Sequence, residues 1–315
     1  MKDISELEKV GIEYYLSQHR ANQIYDNLEE FLNIQSPKEL STATSCNPKK
    51  STTPSKEKQI KKQHRLEVRD VKQLFGYKKA KELEEKIIEL SKSFPSYEKK
   101  HVVDQIQRSA KSIKERIAMG EQVYIGEKFN QYSISIGSAK ETSAWLQISL
   151  GQKYIEKEQY DNLDNLVNEV VSILTKILCH LRDNEGKGMD LPNPYTPNVK
   201  NFGAYEDALL LVERIYEITR QQKFWQEKDL LYGLRQCATS NVANLAEGHQ
   251  LFPLKKFKFF NNALEALSGL ESRLQTSLSK QIITEETFSE MEELAVSVKR
   301  RIKRILKNLS DQKLD

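Results

Sequence analysis

Six cations crowd the stretch 299–307 near the end of the sequence: Lys299, Arg300, Arg301, Lys303, Arg304 and Lys307. Positions 299, 303 and 307, and likewise 300 and 304, recur every four residues and so line up along one helical face. Acidic residues are nearly absent there, so the sequence reads as an unpaired cationic row with a local positive field. A second cluster, Arg108, Lys111, Lys114 and Arg116, falls on another predicted helix. A third runs through Lys58, Lys61, Lys62, Arg65, Arg69 and Lys72 and continues at Lys78 and Lys79. Such rows suit a phosphate backbone, because each neutralised phosphate releases counterions and binding then weakens with salt. No aromatic-interleaved recognition motif accompanies them, so contact with shape and backbone is expected rather than base readout. The bland alternative for each run is a solvated helix face.

Residues for catalysis are sparse by comparison. The five histidines, His19, His64, His101, His180 and His249, stand alone, and no pair has the four-residue spacing of a helical metal site. No nucleophile motif or phosphate-cradling glycine loop is present. Gly248, inside Glu247-Gly248-His249, reads as a left-handed glycine ending a helix. Ser112 and Ser240 read as small packing residues. The expectation is a protein that is not an enzyme and carries no cofactor, metal or catalytic residue. Cys46, Cys179 and Cys237 are odd in number and lack metal-type spacing, which fits a reduced, cytoplasmic setting.

The elements that must position these cations are helices. Hydrophobic residues make up 38% of the 315 and charged residues 30%, so apolar side chains must be buried on narrow stripes. Glycine (12) and proline (8) are scarce, which favours long helices over strands. No run approaches the ~20 apolar residues of a membrane span. The net charge of +4 is modest, so where the charge sits matters more than its sum.

The sequence repeats itself. Gly120, Phe129, Leu146 and Leu150 meet Gly248, Phe257, Leu274 and Leu278 at a constant displacement of 128 residues. Tyr77 and Ala80 meet Tyr205 and Ala208 upstream, and Leu166, Val170, Ile177 and Leu181 meet Leu294, Val298, Ile305 and Leu309 downstream, in the same register. The fold class read from this is all-α: two tandem antiparallel up-down four-helix bundles plus an N-terminal helix. The expected organisation is an N-terminal helix over 1–34, a flexible basic linker over 35–65, bundle one over 66–183, a linker over 184–201 and bundle two over 202–312. On the third helix of bundle one the stripe is Phe129, Tyr132, Ile136, Ala139, Ser143, Leu146 and Leu150. In 1–34, Leu7, Val10, Tyr14, Ala21, Ile24, Leu28 and Phe31 form a heptad-like seam that looks for a partner.

In the second copy Ser240, Asn244, Leu245, Ala246, Glu247 and Gly248 lead to the aromatic start Phe257 and Phe260. In the first, Ser112, Ile113, Ile117, Ala118 and Gly120 match, with Arg116 and Met119 where the second has Asn244 and Glu247. The first copy keeps Gly137, Ser138 and Glu141, which are Glu265, Ala266 and Gly269 in the second. Each copy therefore retains a different half of one pattern. That pattern resembles the four-helix bundle family of proteins encoded in ribosomal RNA intervening sequences, which also takes in the accessory variability determinant of diversity-generating retroelements.

The resemblance implies a non-catalytic nucleic-acid-binding accessory protein, a partner of reverse transcriptase that holds template RNA and cDNA on basic helix faces. It implies RNA or DNA backbone, a reverse transcriptase and further copies of the chain (a homo-oligomer) as partners, with no membrane. A tandem arrangement departs from the single-bundle pattern, so the size of an oligomer does not carry across. The alternative is a protein–protein scaffold or assembly module with no nucleic-acid role.

Overall fold

The structure, a computed structural model, describes residues 70–194, 199–249 and 251–311. The expected N-terminal helix and basic linker lie outside the described residues. Among those described there are eight α-helices and no strand: α1 (Phe75–Ser91), α2 (Asp104–Gly120), α3 (Ile125–Gly151), α4 (Lys157–His180), α5 (Gly203–Thr219), α6 (Lys228–His249), α7 (Pro253–Ser279) and α8 (Glu285–Asp311). None is long and apolar enough to cross a membrane. The all-α reading holds.

Within each copy the helices pack in chain order and the fourth closes on the first. Their directions can be read from single contacts. Lys114 of α2 reaches Glu84 of α1 at 2.6 Å, while the earlier Gln107 reaches the later Ser91 at 2.7 Å. Between α2 and α3, the Thr142 and Ser135 hydroxyls donate to Ser109 Oγ (2.9 Å) and the Ile113 carbonyl (2.8 Å), so one helix rises as the other falls. In the second copy, Asp207 of α5 meets Ser297 and Arg301 of α8, and Arg214 meets Glu290. Neighbours run antiparallel, as short connections require.

The duplication is visible in the backbone as well. The turns after α3 and α7 each place a non-glycine residue in the left-handed region, Lys153 (φ 61°) and Gln281 (φ 55°). The next amide then donates back into the last helical turn, Tyr154 to the Ser149 carbonyl and Ile282 to the Ser277 carbonyl, both at 2.9 Å. This is the wide closing bond of a left-handed helix cap. Both members of each pair stand 128 residues apart.

Gly248 corrects the expectation made for it. It lies inside α6, which runs on to His249, and its φ is not positive. A Cβ there would stand 2.7 Å from Cβ of Phe259 and 3.1 Å from the Phe260 ring. Gly120, its equivalent, would meet the Tyr132 ring at 2.9 Å. The glycine is needed because an aromatic side chain from the next helix lies against the backbone.

The two copies share one core and form one compact unit. Their main junction is α3 against α6. This explains why α3 buries far more than its expected stripe: Ser133, Ser138, Thr142, Trp145 and Ser149 are buried too. Their hydroxyls cost little there, since Ser133 and Ser149 donate to the carbonyls of Phe129 and Trp145 one turn back (2.7 Å each) and Thr142 donates to Ser109.

A polar knot fastens the junction. Glu98, before α2, accepts from the Tyr154 hydroxyl at 2.9 Å and faces Arg235 of α6 at 3.4 Å. His101 lies 3.4 Å from the same carboxylate and 2.9 Å from the Thr239 hydroxyl of α6. Burial pushes the Glu98 carboxyl up, but hydrogen bonds from His101 and Tyr154, with the charges of His101 and Arg235, outweigh it and hold the group below the usual carboxylate range.

Candidate nucleic-acid interface

On α8 the apolar side chains Met291, Ala295, Val298, Ile302 and Leu306 recur at three- and four-residue steps and are buried. That stripe turns the opposite face, with its cations, to solvent. The row divides in two. Lys299 is ion-paired with Glu271 of α7, and Arg301 binds Asp207 of α5 at 2.9 Å. These two pairs correct the expectation that the row is free of internal partners: the carboxylates come from neighbouring helices rather than from α8. Arg300, Lys303, Arg304 and Lys307 are exposed and have no partner among the described residues. Their spacing of three, four and seven puts all four on one face.

The first copy has no such row. At the corresponding positions of α4 stand Ser172, Thr175, Lys176 and Cys179. The copies have diverged in surface charge while keeping the same buried pattern.

The α2 cluster is largely compensated. Arg108 lies 3.7 Å from Asp104, Lys111 3.3 Å from Glu115, and Lys114 is bound to Glu84. The Lys114 ammonium is held above its ordinary range, chiefly by the Glu84 hydrogen bond. Arg116 donates to Gln131 of α3 at 3.1 Å. Of the third cluster, Lys58, Lys61, Lys62, Arg65 and Arg69 lie outside the described residues. Lys72 is exposed, Lys78 donates to Gln73 at 3.2 Å, and Lys79 bridges Glu82 and Glu169 at 3.3 and 3.2 Å. The structure therefore does not merge the three clusters into one surface on a shared helix pair: α8 packs on α5 and α7, and α2 on α1 and α3.

The α3–α6 junction holds a feature that residue spacing did not reveal. An inner chamber of about 130 Å³ opens between His101 and Trp145 on one side and Gln236, Ser240 and Asn244 on the other. An outer chamber of about 320 Å³ adjoins it, edged by Arg108, Lys111, Ser112 and Arg116. Gln105, Glu141 and Glu247 line both. The two retained half-patterns thus meet here: Ser240, Asn244 and Glu247 come from α6, and Ser138 and Glu141 from α3.

Gly137 makes room for this meeting, since a Cβ on it would lie 3.1 Å from Cγ of Glu247. Burial, reinforced by Glu141, pushes the Glu247 carboxyl up to about 8. Burial raises Glu141 as well, against a hydrogen bond from the Trp145 indole at 3.3 Å. The one available signal in the sequence was the split of the pattern between the copies.

Comparison with known families decides what this doubled helical unit is. The 23S rRNA-intervening sequence protein family matches residues 72–176 and again 200–304. The chain belongs to that family. Both matches are displaced by the same 128 residues as the internal repeat, so this member of the 23S rRNA-intervening sequence proteins carries the family unit twice. No curated protein and no solved structure matches the chain. The family name refers to 23S rRNA, an RNA-related setting.

Proposed function

We propose that the protein is a non-catalytic RNA-binding accessory factor that holds nucleic acid by its phosphates along α8. The observation that carries this reading is the row Arg300, Lys303, Arg304 and Lys307, four exposed cations on one face with no carboxylate to neutralise them among the described residues. In water such a row attracts a polyanion and releases its condensed counterions. Membership of an RNA-related family supports the choice of RNA as the polyanion. In the finer form of the proposal the bound strand is template RNA or its cDNA in the cytoplasm, presented to a reverse transcriptase by an oligomer of this chain. The resemblance to retroelement accessory determinants supports that form.

The test is filter binding of a structured RNA and a single-stranded DNA at low ionic strength. Retention that falls steeply with added salt is expected, and absence of retention at low salt overturns the proposal. Co-purification of a co-expressed reverse transcriptase with the tagged chain tests the finer form; recovery of the enzyme in the flow-through alone overturns it.

A further inference from the structure

The inner chamber between α3 and α6 is small and polar. The chamber, about 130 Å³, is slightly smaller than the closed cavity of about 150 Å³ that holds one benzene ring, but it is open to solvent, so a single six-membered ring can enter it without being fully enclosed. An apolar ring is a poor occupant. The side chains of Gln105, Gln236 and Glu247 face this space with no hydrogen-bond partner among the described residues. Asn244 spends one of its two amide N–H groups on the Ser240 carbonyl (2.7 Å) and keeps its oxygen available. A small occupant carrying both donors and acceptors would pair with these groups, and a planar heterocycle meets both conditions. Arg108, Lys111 and Arg116 edge the outer chamber beside Glu115, and a phosphate there would share them with Asp104, Glu115 and Gln131.

From this geometry we infer that the α3–α6 cleft takes one unpaired pyrimidine nucleotide of the bound RNA. The base enters the inner chamber against the Gln105, Gln236 and Asn244 amides and the Glu247 carboxyl, and its phosphates lie against Arg108, Lys111 and Arg116. Sequence-dependent recognition of RNA generally reads splayed, unpaired bases on their hydrogen-bonding edges, which a cleft of this kind permits and a helix-face stripe does not. The inference rests on the RNA reading above and adds base readout to it. It also gives the split pattern a purpose: neither copy alone supplies both walls.

The experiment compares an oligouridylate with an abasic ribose-phosphate oligomer of the same length at one low salt concentration. Phosphates are equal in the two, so contact along α8 cancels and only the base differs. The wild-type protein should hold the oligouridylate at least tenfold more tightly. Ala243→Leu, which fills the inner chamber from α6, should remove that preference and leave affinity for the abasic oligomer unchanged. Gln105→Ala combined with Asn244→Ala, at half-buried positions outside the core, should do the same without adding bulk. Equal binding of both oligomers by the wild type overturns the cleft assignment alone, as does a preference that survives in either variant. If neither oligomer binds, the RNA reading falls and the cleft inference with it.

Discussion

The Arg235 guanidinium lies 3.4 Å from the Glu98 carboxylate across the junction of the two copies, and both side chains are almost wholly buried, 6% and 1% exposed. Neither charge has enough water to fall back on if the other is removed. Glu98→Ala should therefore cost about 3–5 kcal/mol, read as a lower urea midpoint. The paired replacement Glu98→Met with Arg235→Met should recover part of that loss, since no unpaired guanidinium is left, while the Tyr154 hydroxyl and the His101 ring still lose their acceptor. A single variant as stable as wild type would show that the knot does not fasten the junction.

Close approach of helix and aromatic ring sets a second expectation. A Cβ on Gly248 would stand 2.7 Å from Cβ of Phe259, an atom tied to the α7 backbone. Gly248→Ala should lose about 1–3 kcal/mol through overpacking. Gly126, on the first turn of α3, has open space where a methyl group would go, with nothing within 4 Å of it. Gly126→Ala should be neutral or gain up to about 1 kcal/mol by helix propensity. Equal melting temperatures for the two variants would refute the contact as the reason for the glycine.

Much of this architecture was legible in the residues because the 128-residue register repeats without a gap, so each helix of one copy vouches for its counterpart. The second buried face of α3 was not. Ser133, Ser138, Thr142 and Ser149 look solvent-facing in a pattern of apolar and polar positions, yet backbone and neighbouring hydroxyls satisfy them inside the junction. The compensation of Lys299 and Arg301 was equally hidden, because Glu271 and Asp207 sit on other helices. Gly248 was misread for a related reason: a glycine near the end of a helix and a glycine under an aromatic ring look alike until the ring is placed. The cleft was half legible, as two incomplete motifs whose facing only the fold could show.

Acid–base behaviour follows from the cleft carboxyl. Glu247 titrates near 8 when folded against an ordinary value of 4.5, pushed up by burial and Glu141 and opposed by Arg116, Lys255 and Lys258. Between those two values the folded state binds more protons than the unfolded one, so stability falls as pH rises from about 5 to 8. Glu247→Gln carries no such proton and should show a flatter dependence over the same interval. Urea midpoints measured for both proteins at pH 5, 6.5 and 8 check this; parallel curves would contradict it.

The most direct measurement is the salt dependence of RNA affinity for wild type and for the protein with Arg300, Lys303, Arg304 and Lys307 all changed to Ala. Each phosphate contact on a single strand contributes about 0.7 to the slope of log affinity against log salt, so four lost contacts should flatten it by about 3. The account predicts that flattening together with weaker binding at low salt. An unchanged affinity and slope in the quadruple variant would contradict it.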